Sequence, residues 1–494
     1  QFCYLRDVAT GDFWSAAHQP VRRAVDAYEA IFSEARAEFR VRCRGYDAHT
    51  EIVVSPEDDI ELRRVHLTNH GRERRTLEVT SYGEVVLAAP GSDAQHPAFS
   101  KLFVQTEIVP QAQAILCTRR PRSAEESRLY LFHLLAAHGG DVESVSYETD
   151  RARFIGRGRT LADPAALDGD GGKGLLSGTA GTVLDPIVSI RCRVALNPGE
   201  SAVLDLVTGV GETREACLAL VDKYRDRHLA DRVFDLAWTH SQVLLHHFNA
   251  DLFEAHLFEQ MASFILYANA ALRANAAVLR ANTRGQSGLW GQSISGDYPV
   301  VLLKIADSAN IELVLQMVKA HAYWRRKGLM ADLVIWNEDH AGYRQNLHDL
   351  IMSAVPAGHE GHLMDSPGGI FVRAAQRLSP EDRTLIESVA RLIVSDAAGT
   401  LSEQVYRRRA GAWMPGLCPH MSPAPESARD VAQPEFPEER LLFANGAGGF
   451  TPDGTEYVIT LRPGQNVPAP WCNVLANEGF GTIVSDGGGV YTWK

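Results

Sequence analysis

The sequence predicts a β-plus-α multidomain chain: an antiparallel β-sandwich, an all-helical region, and then the strands of a further β unit. Three observations carry this. Short runs with a period of two dominate the first 210 or so positions, helical spacing takes over near Gly211, and a proline-dense stretch precedes a last β run.

In the first region, Ile60 to Leu67 is a strand bounded by Pro56-Glu57-Asp58-Asp59 and Asn69-His70-Gly71. Leu77 and Val79 alternate with Glu78 and Thr80, as a half-buried strand requires. Further strands are expected at 102–107, 114–118, 130–134, 187–196 and 202–208, separated by turn clusters such as Asn197-Pro198-Gly199-Glu200. Strands with loops between them, and no helical periodicity, argue for antiparallel pairing.

From Gly211 onward the pattern is helical. Cys217, Leu220, Val221 and Tyr224 share one face, with Thr213 available as a cap. Helices are expected over 231–248, 252–279 and 311–326. Another begins at the Ser379 cap, with Pro380 in its first turn and Asp382 closing a capping box, and runs to Gly399. Pro415, Pro419, Pro423, Pro425, Pro434 and Pro437 then mark an extended linker, because proline at this density forbids helix and sheet ladders. Glu456 to Leu461 starts the last β run. The pattern therefore divides the chain into a 1–211 sandwich, a 212–411 helical region, a 412–438 linker and a further β run within 439–494.

Composition limits function. The chain has 494 residues, 45% apolar and 22% charged, which is an ordinary globular balance. Its net charge of −12 argues against nucleic acid and against an anionic membrane surface. No apolar run reaches the roughly 18 residues of a membrane span, so no direct membrane insertion is expected. Seven cysteines lie far apart without a CxxC pair, pointing to reduced, buried thiols rather than zinc or a disulfide framework. The start at Gln1-Phe2-Cys3-Tyr4 and the end at Val490-Tyr491-Thr492-Trp493-Lys494 both read as cut, so an internal piece of a larger protein is expected.

Three familiar motifs fail on chemistry. Gly172-Lys173 is not a phosphate loop, because Leu167 stands where the first glycine belongs and Gly174 where a magnesium-holding hydroxyl belongs. Asp168-Gly169-Asp170 lacks the twelfth-position Glu of a calcium loop, having Thr179. His359-Glu360-Gly361-His362 has the wrong spacing for a helical zinc pair. No metal and no cofactor are expected.

The candidate site is the glycine-rich stretch from Gly285 to Pro299. Gln286, Trp290, Gln292 and Asp297 bring two amides, an indole and a carboxylate into one short span. That set suits sugars, whose apolar face stacks on an aromatic ring and whose vicinal hydroxyls bind amides and carboxylates. The same loop can instead spend its polar groups on its own backbone. Trp336-Asn337-Glu338-Asp339-His340 is a second candidate, in which Glu338 closes an apolar run and can serve as a general acid, or simply form a polar turn. His321 to Lys327 reads as a helix end with cations that favour its dipole.

Several phrases resemble known families. Tyr4-Leu5-Arg6-Asp7, Thr10-Gly11-Asp12-Phe13-Trp14-Ser15, His96-Pro97-Ala98-Phe99 and Leu176-Ser177-Gly178-Thr179-Ala180-Gly181 resemble the N-terminal supersandwich of inverting glycoside phosphorylases of the cellobiose phosphorylase type. Asn445 to Phe450, Asp453 to Ile459 and Pro468 to Val474 resemble the opening of that same supersandwich. Gln286 to Trp290 and Ile294 to Pro299 resemble the intermediate region of cyclic β-1,2-glucan synthases.

The resemblance implies an antiparallel β-supersandwich lacking its first strands, admits a partial (α/α) toroid for the helical region, and makes 439–494 the first strands of a second supersandwich, whose unpaired edges can dock on the first. It implies a fragment of a large protein at the cytoplasmic face of the inner membrane. There it binds or positions a β-glucan oligosaccharide beside neighbouring modules of the same polypeptide. The phosphorylases' Gly-Asp-Trp-Asn-Asp-Gly acid motif is absent, and Trp336-Asn337-Glu338-Asp339 shares only two letters of it. The expectation is a fragment inactive alone, with substrate contacts at Gln286, Trp290, Gln292 and Asp297. Two alternatives stand beside it: a non-catalytic carbohydrate-binding or structural module, and an active inverting phosphorylase acting through Asp297 or Glu338.

Overall fold

The computed structural model describes residues 1–123, 126, 128–168, 174–267, 270–339, 346–357, 363–411, 440–461, 467, 471–485 and 490–493. The expected linker at 412–438, the His359 to His362 phrase, Gly172-Lys173, His340 and Pro468-Ala469-Pro470 lie outside the described residues. The chain divides into two units, 1–414 and 415–494.

The first 211 residues form thirteen strands: β1 Phe2–Asp7, β2 Phe13–Ser15, β3 Ala27–Ser33, β4 Arg36–Cys43, β5 Tyr46–Val54, β6 Ile60–Asn69, β7 Arg75–Glu84, β8 Val104–Val109, β9 Ala114–Arg119, β10 Tyr130–His138, β11 Asp141–Asp150, β12 Pro186–Leu196 and β13 Ser201–Gly211. They make a five-stranded sheet ordered β11-β12-β7-β1-β2 and an eight-stranded sheet ordered β3-β4-β5-β6-β13-β10-β9-β8. Every pairing is antiparallel.

Burial explains the arrangement. Leu5, Val65, Leu67, Leu77, Val79, Ile115, Ile190, Cys192, Val194 and Leu204 fill the space between the sheets. Each such side chain contributes about 1.5–3 kcal/mol when fully buried. Strand β12 does not alternate, because both its faces are covered. Its outer side lies under a connection whose Phe154, Ile155, Leu167 and Leu176 pack on Tyr4, Tyr82 and Ile187.

The outer face of the large sheet is also covered. Helices Arg214–Arg225 and Arg227–His247 place Cys217, Val221, Tyr224, Ala230 and Val233 against Ile60, Leu62, Leu116, Phe132 and Val207. Arg64 on β6 joins the two layers. It forks onto the buried Asp205 of β13 at 2.7 and 2.8 Å, bonds Asp231 of the second helix, and lies 5.0 Å from the Phe234 ring. Thr213 caps the first helix as its position predicted.

The remainder of 212–411 differs from expectation. It is not all-helical, and a partial toroid does not describe it. Four parallel strands, β14 Val300–Ile305, β15 Asp332–Asn337, β16 Ile370–Ala374 and β17 Ala390–Ser395, form a sheet ordered β16-β15-β14-β17. Helices Leu252–Leu266, Ile311–Arg326 and Asn346–Ala357 contribute Phe258, Met261, Val314, Met317 and Ile351 to the core on one face, with Val301, Leu303, Leu333 and Ile335. On the other face, Leu289, Ile294, Leu385 and Ile386 meet Leu302, Val334, Trp336 and Phe371.

The reason for the misreading is physical. A parallel strand buried on both faces is a short continuous apolar run, and period alone does not separate it from a helical segment. The Ser379 cap is present, with Asp382 N donating to Ser379 Oγ at 3.1 Å. Its helix nevertheless stops at Val389, and the β-branched run beyond it becomes β17. Likewise the helix expected to reach Leu279 ends at Leu266.

In the second unit, β18 Gly448–Phe450 pairs with β19 Tyr457–Ile459. Strands β20 Cys472–Ala476, β21 Gly481–Ser485 and β22 Val490–Trp493 form an antiparallel meander. A Cβ at Gly481 would collide with the Trp493 indole, so a side chain there would displace that ring. Among the described residues no helix is long and apolar enough to cross a membrane.

Candidate functional site

The loop before β14 is anchored by two apolar side chains and displays polar ones. Leu289, in the short helix Ser287–Trp290, and Ile294 are both buried beneath the parallel sheet. Between and beside these anchors Trp290 is 64% exposed, so its burial does not stabilise the fold. Its indole Nε1 donates to Ser295 O at 3.3 Å. Gln286 Nε2 donates to the same carbonyl at 3.0 Å and to Asp297 Oδ1 at 3.1 Å. Asp297 N donates to Ser295 Oγ at 3.2 Å.

Two of the four expected contact residues, Gln286 and Trp290, therefore converge on one carbonyl, and the Gln286 amide ties in a third, Asp297. Gln292 does not join them through its side chain. Its carbonyl is held by Arg373, at 3.2 Å from Nε and 2.5 Å from Nη2. Gly296 makes the turn possible, with φ at +77° and a would-be Cβ 2.8 Å from Gln286 Cγ.

A carboxyl that sequence reasoning missed lies at the same edge. Asp332, the first residue of β15, is fully buried. Its Oδ1 accepts from Gly368 N at 2.6 Å, while Oδ2 has no hydrogen-bond partner among the described residues. Burial pushes its pKa up to about 6. The Asp297 charge adds to that rise, against the Gly368 N–H and His321. Arg325 Nη1 bonds the Gly368 carbonyl at 2.7 Å, so the turn is held from both sides of its peptide. The sequence signal was an acidic residue opening an apolar run, Ala331-Asp332-Leu333-Val334, which reads equally well as a strand-end polar group.

Glu338 sits elsewhere. It follows the last residue of β15, and its N–H donates to Ile305 O at 2.8 Å. Asp297 precedes β14, and β14 and β15 run parallel with Val300 opposite Asp332 and Ile305 opposite Asn337. The two carboxylates thus lie at opposite ends of a six-residue strand, roughly 17–20 Å apart at about 3.3 Å per residue. Carboxyl pairs that cleave glycosidic bonds stand about 5–9.5 Å apart. Asp297 and Glu338 do not form such a pair.

The carboxyl edge of the parallel sheet is where open α/β sheets receive phosphates, at the point where strand order reverses. Here that point lies between β14 and β17. It is closed by Asp396, whose Oδ2 accepts from Ala306 N at 2.9 Å and Asp307 N at 3.0 Å. A carboxylate on those amides leaves no place for a phosphate.

In the sandwich, Glu38, His49 and Glu51 have ligand atoms close enough for a metal. Arg36 already fills that role, 3.0 Å from Glu38 and 2.6 Å from Glu51.

Fold and site together define a β-sandwich protein with a helix-covered parallel sheet and an aromatic, amide-bearing surface loop. The chain belongs to the glycosyl hydrolase 94 family: the supersandwich domain of that family matches residues 1–227 and 455–494, a little over half of the chain. The whole chain is 35% identical over 505 aligned positions to a cyclic beta-(1,2)-glucan synthase, NdvB, of Rhizobium meliloti strain 1021, covering 18% of that protein. An N,N'-diacetylchitobiose phosphorylase of Vibrio furnissii is 28% identical over 47% of the chain and 28% of its own length. A solabiose phosphorylase of Paenibacillus borealis is 24% identical over 45% of the chain and 27% of its own length. The chain therefore spans less than a third of each of these relatives.

Proposed function

We propose that the chain is a segment of a cyclic β-1,2-glucan synthase that binds and positions the glucan while other modules of the same polypeptide transfer, trim and close it. The observation that carries this reading is the exposed Trp290 indole beside the buttressed Gln286–Asp297 pair, in a chain similar over its whole length to such a synthase. An exposed indole tethered through its N–H offers a stacking face for a pyranose, and a carboxylate already oriented by an amide is set to take vicinal hydroxyls.

In this reading the segment works at the cytoplasmic face of the inner membrane as part of a larger membrane protein. Residues 439–494 open a second supersandwich, joined to the first part through 412–438. The segment performs no turnover alone in this reading, since the phosphorylases' acid motif is absent.

The test is titration of the chain with β-1,2-linked glucan oligosaccharides, read by tryptophan fluorescence and calorimetry. Binding that falls at least tenfold in Trp290→Ala, with thermal stability unchanged, supports the reading. Unchanged affinity in that variant removes Trp290 from the site. Phosphate release or consumption with short β-glucans would instead favour an active phosphorylase.

A further inference from the structure

A second feature with ligand-binding geometry lies in the sandwich, at the free edge of the large sheet. Strand β8 is the last strand of that sheet, and beyond it, among the described residues, one backbone bridge continues the ladder, Thr106 to Gly181. Thr106 N donates to Gly181 O at 2.9 Å and Gly181 N to Thr106 O at 2.8 Å. A cavity of about 240 Å³ opens beside this bridge, lined by β8, β9, the start of β10 and the 181–182 backbone.

Its lining chemistry selects a ligand. Among the described residues Glu107 is the one acidic or basic side chain in the wall, and Arg214 neutralises it through a fork at 2.6 and 3.0 Å. A wall without net charge favours neither a phosphate nor a cation. The rest is uncharged, part apolar through Leu116 and Cys117 and part polar. Gln105 and Thr182 are exposed, and neither side chain has a hydrogen-bond partner among the described residues. Thr118 gives its proton to Leu129 O at 3.2 Å and keeps its lone pairs, and Tyr130 adds a half-buried phenol ring.

Size narrows the choice further. Sites for drug-sized ligands span roughly 300–1,000 Å³, so this groove has room for one ring and no more. The Glu107–Arg214 pair presents an acceptor and donors side by side, which is the pattern that recognises neighbouring hydroxyls.

We propose that this groove is a second saccharide subsite, taking one neutral hexose unit of a β-glucan chain through Gln105, Glu107, Thr118, Tyr130 and Thr182. It extends the glucan reading to a part of the chain remote in sequence from Trp290, and a polymer engaged at two places is held more tightly than at either alone.

The experiment uses the full chain and a β-1,2-linked glucose disaccharide, too short to bridge distant sites, in calorimetric titration and saturation-transfer NMR. Thr182→Trp fills the groove from an exposed position, and Gln105→Ala removes one hydrogen-bonding group as an independent variant. The expected result is two equivalents bound by the unaltered chain and one by Thr182→Trp. Gln105→Ala should weaken the same equivalent roughly threefold to tenfold, as one hydrogen bond predicts. Trp290→Ala should remove the other equivalent and leave the groove's. The proposal is overturned if Thr182→Trp and Gln105→Ala both titrate as the unaltered chain does, or if the unaltered chain binds no disaccharide. Loss in the groove variants with none in Trp290→Ala would uphold this subsite and discard the Trp290 site.

Discussion

The main-chain N–H of Asp332 donates to the carbonyl of Pro299 at 2.9 Å, tying a fully buried carboxyl to the loop that carries Asp297. The same bond sets the start of β15 against the start of β14. A titrating group beneath the displayed loop makes the stability of this edge depend on pH.

The sign follows from proton binding. The Asp332 pKa in the fold is about 6, raised from an ordinary 3.8 chiefly by burial. Between those values the folded chain holds a proton that the unfolded chain has released. Stability therefore falls as pH rises through this window, and the cost is complete above it. Asp332→Asn carries no such cost. The variant should be more stable than the unaltered chain near pH 8, on the order of 2–3 kcal/mol, and the two should converge near pH 4. Urea unfolding of both proteins across that range checks it; parallel curves would mean that Asp332 does not titrate as described.

A buried charge in the sandwich gives the opposite lesson. Glu78 on β7 is fully buried and faces Arg6 at 2.9 Å, Arg193 at 2.6 Å and Arg191 at 3.8 Å. Burial works to raise its pKa, but Arg191, Arg193 and Arg6 together hold it below the ordinary value. Glu78→Gln leaves three guanidinium groups without their shared anion. The expected loss is about 3–5 kcal/mol, seen as a lower urea midpoint for the first unit. A loss under about 1 kcal/mol would show that water reaches the arginines.

The turn at Gly296 links backbone strain to binding. A side chain there would have to adopt φ of +77° and would press on Gln286 Cγ at 2.8 Å and Leu289 Cδ1 at 3.0 Å. Gly296→Ala should cost about 1–2 kcal/mol from the left-handed backbone alone. Because the crowded atom belongs to Gln286, the variant should also free Asp297 from its amide and weaken glucan binding severalfold. Calorimetry alongside thermal melting separates the two effects. Binding that survives the substitution would mean the Gln286–Asp297 bond does not order the site.

Much of this architecture was legible in local sequence. Thr213 and Ser379 were readable as caps because capping depends on one side chain and the amides two or three residues on. The alternation at Leu77 and Val79 marks the face of β7 that meets the intersheet core, but the half-burial expected from it is wrong, because Glu78 and Thr80 on the other face are buried as well. The parallel sheet was not readable: Val300-Val301-Leu302-Leu303 is buried on both faces and carries no period. Nor was the Arg64–Asp205 fork, whose partners stand 141 positions apart and meet only once β6 and β13 pair. The candidate loop was recognised by composition, yet composition did not say that Gln292 would spend its carbonyl on Arg373, or that Asp332 would lie below.

The separation of Asp297 and Glu338 yields the last prediction. Both were candidates for a proton-transfer role, and as neighbours they would resemble the carboxyl pair of a glycosidase. Parallel pairing of β14 with β15 forbids this, since one residue precedes the first strand and the other follows the second. Substitutions at the two positions should therefore be independent and unequal. Asp297→Asn keeps the shape of the site but removes the charge that Gln286 orients, so glucan affinity should drop about fivefold to tenfold, the effect of weakening one charge-assisted hydrogen bond. Glu338→Gln changes a half-buried residue at the far edge and should leave affinity unchanged. The double variant should match Asp297→Asn alone, since sites this far apart add without coupling. A measurable coupling energy in that cycle, or a loss of binding in Glu338→Gln, would require the two edges of the sheet to share one ligand.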